Sequence, residues 1–196
     1  ADPRRRSCAR GPGDRVLLYE PELQVSHLDR VGAVGLDYPD FEVVVVNGPS
    51  SDGTAEMLVG YPVRIGSCPE RHVGVSRNIG VRMAAGDVVA IIDDDAVPGP
   101  DWLEQLAGAY EDPDVAAAGG PVFDVPLGRI EWALCTCTRD GVANTNSEPP
   151  PDRYTRPGSD PFLYLAGCNM SFRAASLRRV DGFNAALQYC YEDVEV

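Results

Sequence analysis

The chain has 196 residues, 44% of them hydrophobic, which is enough for one domain with a sizeable core. Its formal net charge of −13 argues against nucleic acid as a generic electrostatic partner, although a nucleotide held through a metal ion stays compatible. No apolar run approaches the ~20 residues that a membrane span needs, and no signal peptide opens the chain, so we expect a cytoplasmic protein.

The basic residues and the cysteines say little about the function of the protein. Every basic residue other than the two His is Arg, a bias that a GC-rich genome produces, and we expect a bacterial source. The six Cys are scattered with no CxxC pair, which favours reduced structural thiols in a reducing compartment. Cys135-Thr136-Cys137 could hold a soft metal, but no second Cys/His pair stands nearby.

The N-terminal stretch is the least patterned. Residues 1–14 are rich in Arg, Gly and Pro, and we expect them to be disordered. Residues 15–19 are predicted to form a short strand. Residues 21–35 have apolar side chains near helical spacing and predict a helix.

The first strong signal is the β-branched apolar run over residues 41–46, which is typical of a buried strand. The small polar loop 47–54 follows it. Asp52 is predicted there as the N-cap of a helix over about residues 53–59. Exposed backbone N–H groups in this loop could serve a nucleotide, and the alternative is a plain strand-to-helix connection.

A short strand over residues 63–65 and a helix over residues 73–85 are predicted next. Arg77 and Asn78 lie in the early turns of that helix. Residues 86–87 are expected to end it before the following strand.

Three adjacent carboxylates, Asp93, Asp94 and Asp95, follow the continuous apolar run over residues 88–92. That run predicts a strand buried on both faces, and in open α/β sheets ligands bind where such strands end. Asp93 and Asp95 would share one face while Asp94 points away. A hard cation such as Mg²⁺ or Mn²⁺ would relieve their mutual repulsion. The alternative is an acidic loop that caps the helix opening at Asp101.

The remainder of the chain is less regular. Residues 115–118 predict a strand, and Gly119-Gly120-Pro121 would let a ligand or a second backbone come close. Residues 124–161 are Pro-rich and irregular, with a possible helix near residues 130–136, and would be a functional loop or an insertion. Apolar pieces over 162–172 and a short helix over 174–180 follow. Alternation of strands and helices indicates an α/β fold with a largely parallel sheet.

Taken together, these stretches resemble the family 2 glycosyltransferases of GT-A fold. The family runs through an S-x-D-G-T loop, an ARN-x-G helix, a D-x-D strand, a G-G strand, a G-x-N-M-x-F-R strand and an E-D pair. The counterparts here are Glu42–Thr54, Ser76–Gly80, Asp93–Asp95, Gly119-Gly120, Gly167–Arg173 and Glu192-Asp193. The match covers about residues 36–196, so we expect a mixed, mainly parallel GT-A sheet flanked by helices, in one domain over residues 15–196.

The resemblance implies transfer of a sugar, with inversion, from a nucleotide diphosphate sugar to an acceptor hydroxyl. It places Mg²⁺ or Mn²⁺ on Asp95 with Asp93 nearby, where the cation would neutralise the leaving nucleoside diphosphate. Asp93 or Asp94 would also contact the ribose. The catalytic base would be Asp193, which takes the acceptor proton, while Glu192 orients the acceptor. Read alone, Glu192-Asp193 would be an acidic helix N-terminus.

The remaining donor contacts are also implied by the resemblance. Asn47 and Gly48 would hold the base, and Asp52, Arg77 and Asn78 would complete the nucleotide site. From local sequence alone, Arg77 would instead be a helix-surface side chain lying over the sheet.

Three departures from the family pattern stand out. Asn47 occupies a position where the family usually has Asp, the family's first-strand loop is not found in residues 1–35, and the chain stops three residues after Asp193. We therefore expect a domain that is incomplete at its C-terminus and transfers sugar poorly. The alternative is a truncated or degenerate homologue that binds nucleotide without transferring sugar, and a sugar-phosphate nucleotidyltransferase is a weaker third reading. Peripheral association with a membrane stays open.

Overall fold

The computed structural model describes residues 16–18, 36–51, 53–93, 96–146 and 158–187. The elements, in chain order, are β1 (Val16–Leu18), β2 (Phe41–Asn47), α1 (Thr54–Leu58), β3 (Arg64–Ser67), α2 (Val73–Met83), β4 (Val88–Ile91), α3 (Trp102–Ala109), β5 (Ala117–Gly119), β6 (Val122–Asp124), β7 (Arg129–Trp132), β8 (Thr136–Cys137), β9 (Ala143–Asn144), β10 (Phe162–Leu163), β11 (Met170–Arg173) and α4 (Ala174–Arg179). The expected disorder of residues 1–14 and the helix predicted in 21–35 fall outside these ranges.

The main sheet has six strands in the order β3-β2-β1-β4-β11-β5. Strands β3, β2, β1 and β4 are parallel, and β11 runs antiparallel between β4 and β5. The prediction of a mixed, mainly parallel α/β sheet is confirmed. Strands β2 and β4 are near neighbours, separated only by β1, so the loops that follow them leave the same edge.

Alternating side chains of the central strands face two separate cores. Val44 and Val46 pack into the core that α2 and α4 cover, whereas Val43 and Val45 pack into the core that α1 and α3 cover. All four side chains are buried, as are the four residues of β4. Burial on both faces explains why these strands are continuous β-branched runs in the sequence.

Two smaller sheets follow the main one. Strands β6 and β7 form a hairpin, and β10, β8 and β9 form a three-stranded antiparallel sheet. The helix predicted near residues 130–136 is therefore wrong, because those residues lie mostly in β7 and β8. The irregular stretch predicted over 124–161 contains, where described, short antiparallel strands joined by turns. Cross-strand pairing and the turn between β6 and β7 determine this structure, and neither produces a strong periodic signal.

Several predicted boundaries shift by one or two residues. Helix α2 ends at Met83, with Ala84 as its C-cap, two residues before the predicted end at residue 85. Strand β5 begins at Ala117, two residues later than predicted. Helix α1 has Gly53 as its N-cap residue, at φ 85°, so the capping position lies one residue after the predicted Asp52. Glycine takes this left-handed conformation without steric cost.

Two further findings concern the described residues as a set. Cys68, Cys135, Cys137 and Cys168 form no disulfide among the described residues, and the reduced state of the cysteines stays a prediction. Within the part of the chain that the structure describes, every helix is too short or too polar to cross a bilayer.

Candidate active site

One edge of the main sheet gathers the loops that the sequence singled out. The parallel strands β2 and β4 end there, at Asn47 and Ile91. Strand β11 is antiparallel to β4 with Met170 opposite Ile91, so the residues before Met170 lie at the same edge. Strand β5 also ends there, because Gly119 is opposite Met170. Carboxyl ends of parallel strands form the ligand-binding edge of open α/β sheets.

Asp93 and Arg77 form an ion pair at this edge. The distance from Arg77 Nη2 to Asp93 Oδ1 is 3.7 Å, and the two side chains are 3% and 34% exposed. Arg77 is thus buried beneath a carboxylate that solvent reaches. The alternative reading of Arg77 as a helix-surface side chain is wrong.

Arg77 also ties α2 to two other parts of the chain. Its Nη2 donates to the Gly167 carbonyl oxygen at 3.4 Å, and its guanidinium carbon lies 5.5 Å from the centre of the Phe183 ring. A buried guanidinium needs several partners, since its five donors are otherwise stripped of water. These contacts fix the cation beneath Asp93 and join the end of β4 to the loop before β11.

Asn47 and Gly48 lie at the same edge, and both are partly exposed. The Asn47 carbonyl oxygen accepts a hydrogen bond from the Cys68 N–H at 2.8 Å, and Asn47 is paired in register with Ser67. The backbone at Asn47 is thus held by β3, while the loop that begins at Gly48 is open to a ligand.

The Asn78 side chain holds the turn after α4, while its nucleotide contact stays a prediction. Its Nδ2 donates to the Phe183 carbonyl oxygen at 2.7 Å, and its Oδ1 accepts from the Phe183 N–H at 2.8 Å. The turn before Phe183 has two left-handed residues, Asp181 at φ 62° and Gly182 at φ 78°. A Cβ atom at Gly182 would overlap the Asn78 amide oxygen. Asn78 therefore clamps the turn after α4.

Asn169 is a site-edge residue that the sequence analysis used only as part of a motif. Its Oδ1 accepts from the Trp102 indole N–H at 2.9 Å, and its Nδ2 donates to the Pro121 carbonyl oxygen at 3.3 Å. A Cβ atom at Gly119 would stand 2.6 Å from the Asn169 carbonyl oxygen. The expected close approach at Gly119 is thus made by the backbone of the loop before β11.

The far end of β11 holds the other end of α3. Arg173 donates to three carbonyl oxygens, those of Val115 at 2.7 Å and of Tyr110 and Asp112 at 2.8 Å each. Its guanidinium carbon also lies 5.1 Å from the centre of the Tyr110 ring. These carbonyls include the C-cap of α3, where a cation is favourable.

Tyr110 lies beneath this cap with its hydroxyl in the protein interior. Burial raises the pKa of Tyr110 from 10.0 to about 12, although hydrogen bonds and Arg173 act in the opposite direction. The hydroxyl shares a 2.9 Å hydrogen bond with Ser171, whose hydroxyl donates to the Ala118 carbonyl oxygen at 2.6 Å. The polar groups between α3, β5 and β11 therefore satisfy one another.

The other predicted site residues, Asp52, Asp94, Asp95, Glu192 and Asp193, lie outside the described residues. Among the residues that are described, no three His, Cys, Asp or Glu side chains gather where they could hold a metal ion. The metal ligands and the catalytic base stay predictions.

A family model supplies the decisive comparison, since the model described as glycosyl transferase family 2 matches residues 26–181. The chain belongs to glycosyl transferase family 2. The suspected resemblance is confirmed over most of the chain.

Two curated relatives agree in part. A glucosyl-dolichyl phosphate glucuronosyltransferase from Haloferax volcanii is 51% identical over 114 residues, which are 55% of this chain and 36% of the relative. An uncharacterized protein, y4gI, from Sinorhizobium fredii is 31% identical over 118 residues, 54% of this chain and 12% of the relative. The chain thus matches about a third or less of the length of these relatives.

Solved structures show the same fold. The mannosyltransferase PcManGT from Pyrobaculum calidifontis, in complex with GDP-Man and Mn²⁺, has a TM-score of 0.62 at 20% identity, over 89% of this chain and 48% of that one. S. aureus TarS 1-349 has a TM-score of 0.61 at 16% identity, over 92% of this chain and 53% of that one. The mixed α/β sheet matches the GT-A fold of such glycosyltransferases.

Proposed function

We propose that this protein transfers a sugar from a nucleotide diphosphate sugar to an acceptor hydroxyl with inversion, using a divalent cation. The observation that carries the proposal is the position of Asp93, over the buried Arg77, at the sheet edge of a family 2 chain. Fold alone would not carry it, since one fold hosts many functions.

The donor would bind along this edge. The loop at Asn47 and Gly48 holds the base, because its backbone is fixed by β3 and its residues are partly exposed. Asp93 or Asp94 contacts the ribose. Solved relatives support a nucleotide sugar, since PcManGT is a complex with GDP-Man and TarS 1-349 has been solved with UDP-GlcNAc.

The carboxylate side chains at this edge suit a hard divalent cation as ligands. Asp93 is partly exposed at a strand end and begins a run of three carboxylates, and Mg²⁺ and Mn²⁺ prefer such oxygen ligands. Asp95 and Asp93 would hold the ion, which supplies positive charge to the leaving nucleoside diphosphate when bound. The Mn²⁺ in the PcManGT complex supports a divalent cation.

Arg77 would support the acidic run from below. Because it is 3% exposed, its charge acts on Asp93 more directly than on a diphosphate in solvent. We therefore assign it to hold Asp93 in place and to offset the repulsion among the carboxylates.

The proposed acceptor chemistry depends on the pair Glu192-Asp193. Asp193 would accept the proton of the attacking hydroxyl as its oxygen bonds to the anomeric carbon, while the bond to the nucleoside diphosphate breaks on the opposite face. This geometry inverts the anomeric configuration. Glu192 would orient the acceptor.

We extend the proposal to a sugar carried on a lipid phosphate as the acceptor. The name of the Haloferax volcanii relative couples a glucosyl-dolichyl phosphate to glucuronosyl transfer, and that relative is 51% identical over 114 residues. The name of this relative makes a glucuronosyl nucleotide the first donor to test.

The test is calorimetric titration of UDP, GDP and their sugar derivatives with Mn²⁺ or with EDTA. Binding should be stronger with Mn²⁺, and Asp95→Ala should remove the difference, whereas Asp140→Ala on an exposed turn should leave it unchanged. Metal-independent binding by all three proteins would contradict the proposed cation site.

Transfer is tested separately, by following release of nucleoside diphosphate and glycosylation of the acceptor. Asp193→Asn should abolish transfer and leave donor affinity nearly unchanged. Donor binding without transfer would favour the alternative of a homologue that binds nucleotide only.

A further inference from the structure

Four large apolar side chains on the β6–β7 hairpin are left uncovered in the described part of the chain. Phe123, Val125, Leu127 and Ile130 are 55%, 78%, 61% and 54% exposed. Single exposed apolar side chains are ordinary, but a cluster within eight consecutive residues marks an interaction surface. These four residues are called the hairpin tip below.

The hairpin tip is a defined structure that presents these side chains together. Phe123 and Ile130 are directly opposite in the antiparallel register, so their side chains share a face. The turn is closed by the Leu127 N–H, which donates to Asp124 Oδ1 at 3.0 Å, and by Gly128, which has φ 64°. A tight turn therefore holds Val125 and Leu127 at the apex.

The hairpin begins at the candidate active site. Strand β6 starts at Val122, directly after Pro121, whose carbonyl oxygen accepts from Asn169 at the site edge. Asn169 also accepts the hydrogen bond of the Trp102 indole, so this one residue joins the start of the hairpin to the site. A surface that bound the hairpin tip would lie beside the site.

We propose that the hairpin tip inserts into the surface of a lipid bilayer and so brings the site to a membrane-anchored acceptor. The inference rests on the proposed function, in which the acceptor is carried on a lipid phosphate. Arg129 lies between Leu127 and Ile130, and Trp132 follows on the same strand; such side chains favour the interface between headgroups and acyl chains.

The charge of the chain determines how this contact works. With a formal net charge of −13, the protein is not attracted to anionic headgroups, so insertion of apolar side chains must supply the affinity. Binding should therefore be at least as strong on zwitterionic as on anionic vesicles and should not weaken in salt. Because only four side chains insert, the association is weak and reversible.

The experiment is co-sedimentation of the protein with phosphatidylcholine vesicles at millimolar lipid. Phe123→Ser and Leu127→Ser should each lower the bound-to-free ratio by about tenfold. The matched pair is Val125→Ser and Val59→Ser, because both valines are 78% exposed and only Val125 lies on the hairpin tip. Val125→Ser should release the protein, and Val59→Ser should not. Since all these positions are exposed, the unfolding midpoint should stay unchanged.

Two results would overturn the proposal. One is failure of the unmodified protein to sediment with vesicles; the other is equal sedimentation of the hairpin-tip variants and Val59→Ser. A concentration-dependent dimer that Leu127→Ser abolishes, without vesicle binding, would show that a second copy covers the hairpin tip instead. Calorimetry with the donor and without vesicles tests the donor site separately from the membrane contact. Hairpin-tip variants should bind the donor normally in this experiment.

Discussion

The main sheet and the β6–β7 hairpin differ in how far their side chains are buried. Strands β2 and β4 are buried on both faces, and the polar groups around them pair with one another, as Tyr110 does with Ser171. In the β6–β7 hairpin most side chains are exposed. Stability and the candidate donor edge therefore come from the sheet, whereas the hairpin is free to contact other molecules.

The largest expected contrast is between two isoleucines. Ile91 in β4 is fully buried, and Ile130 on the hairpin is 54% exposed. Ile91→Ala should lower the free energy of unfolding by about 2–5 kcal/mol, because it leaves a cavity in the core. Ile130→Ala should change it by less than about 0.5 kcal/mol. Urea unfolding of both variants measures the difference, and equal effects would contradict the division into two regions.

A smaller effect is expected at the ion pair of the site. Asp93→Ala removes a carboxylate that pairs with the buried Arg77 and should destabilise the protein by about 2 kcal/mol, less than for a fully buried pair since Asp93 is 34% exposed. Adding Arg77→Met should restore part of the loss. Additive effects in this double-mutant cycle would show that the two residues are not coupled.

Asn78→Ala tests the clamp on the turn after α4. It removes two hydrogen bonds to Phe183 and should lower stability by about 1–2 kcal/mol, while the donor affinity stays unchanged. Asn144→Ala, on exposed β9, is the control and should have little effect. A selective loss of donor binding in Asn78→Ala would return this residue to the nucleotide site.

The smallest effect depends on pH. The pKa of Tyr110 is raised to about 12 in the folded protein, so folding favours the protonated hydroxyl. Its contribution is complete below pH 10 and is lost as the pH rises towards 12, by about 1 kcal/mol between pH 10 and 11. Tyr110→Phe should have a flatter profile in this range. Identical slopes in chemical unfolding would contradict the assignment.

The sequence was informative where burial leaves a pattern. The runs at residues 41–46 and 88–92 predicted the two central strands, because a strand covered on both faces must be apolar throughout. Residues 130–136 misled, because pairing with β6 made a strand where the sequence analysis expected a possible helix. No periodicity reveals such pairing.

The candidate site likewise depends on contacts that local sequence does not reveal. The position of Asp93 followed from the strand before it, but the burial of Arg77 depends on Gly167 and Phe183, about 90 and 106 positions further along the chain. The clamp role of Asn78 depends on the same distant turn. Local sequence contains neither contact.

Strand β11 and the residue before it hold α3 at both ends, with Asn169 on the Trp102 indole and Arg173 on the carbonyl of the C-cap residue Tyr110. Eight helical residues rise about 12 Å and four strand residues span about 13 Å, so the two elements match in length. One residue inserted into α3 would turn Trp102 by about 100° away from Asn169. One residue inserted into β11 would reverse its faces. Insertions and deletions should therefore be tolerated in the surrounding loops and not within either element, unless both change together.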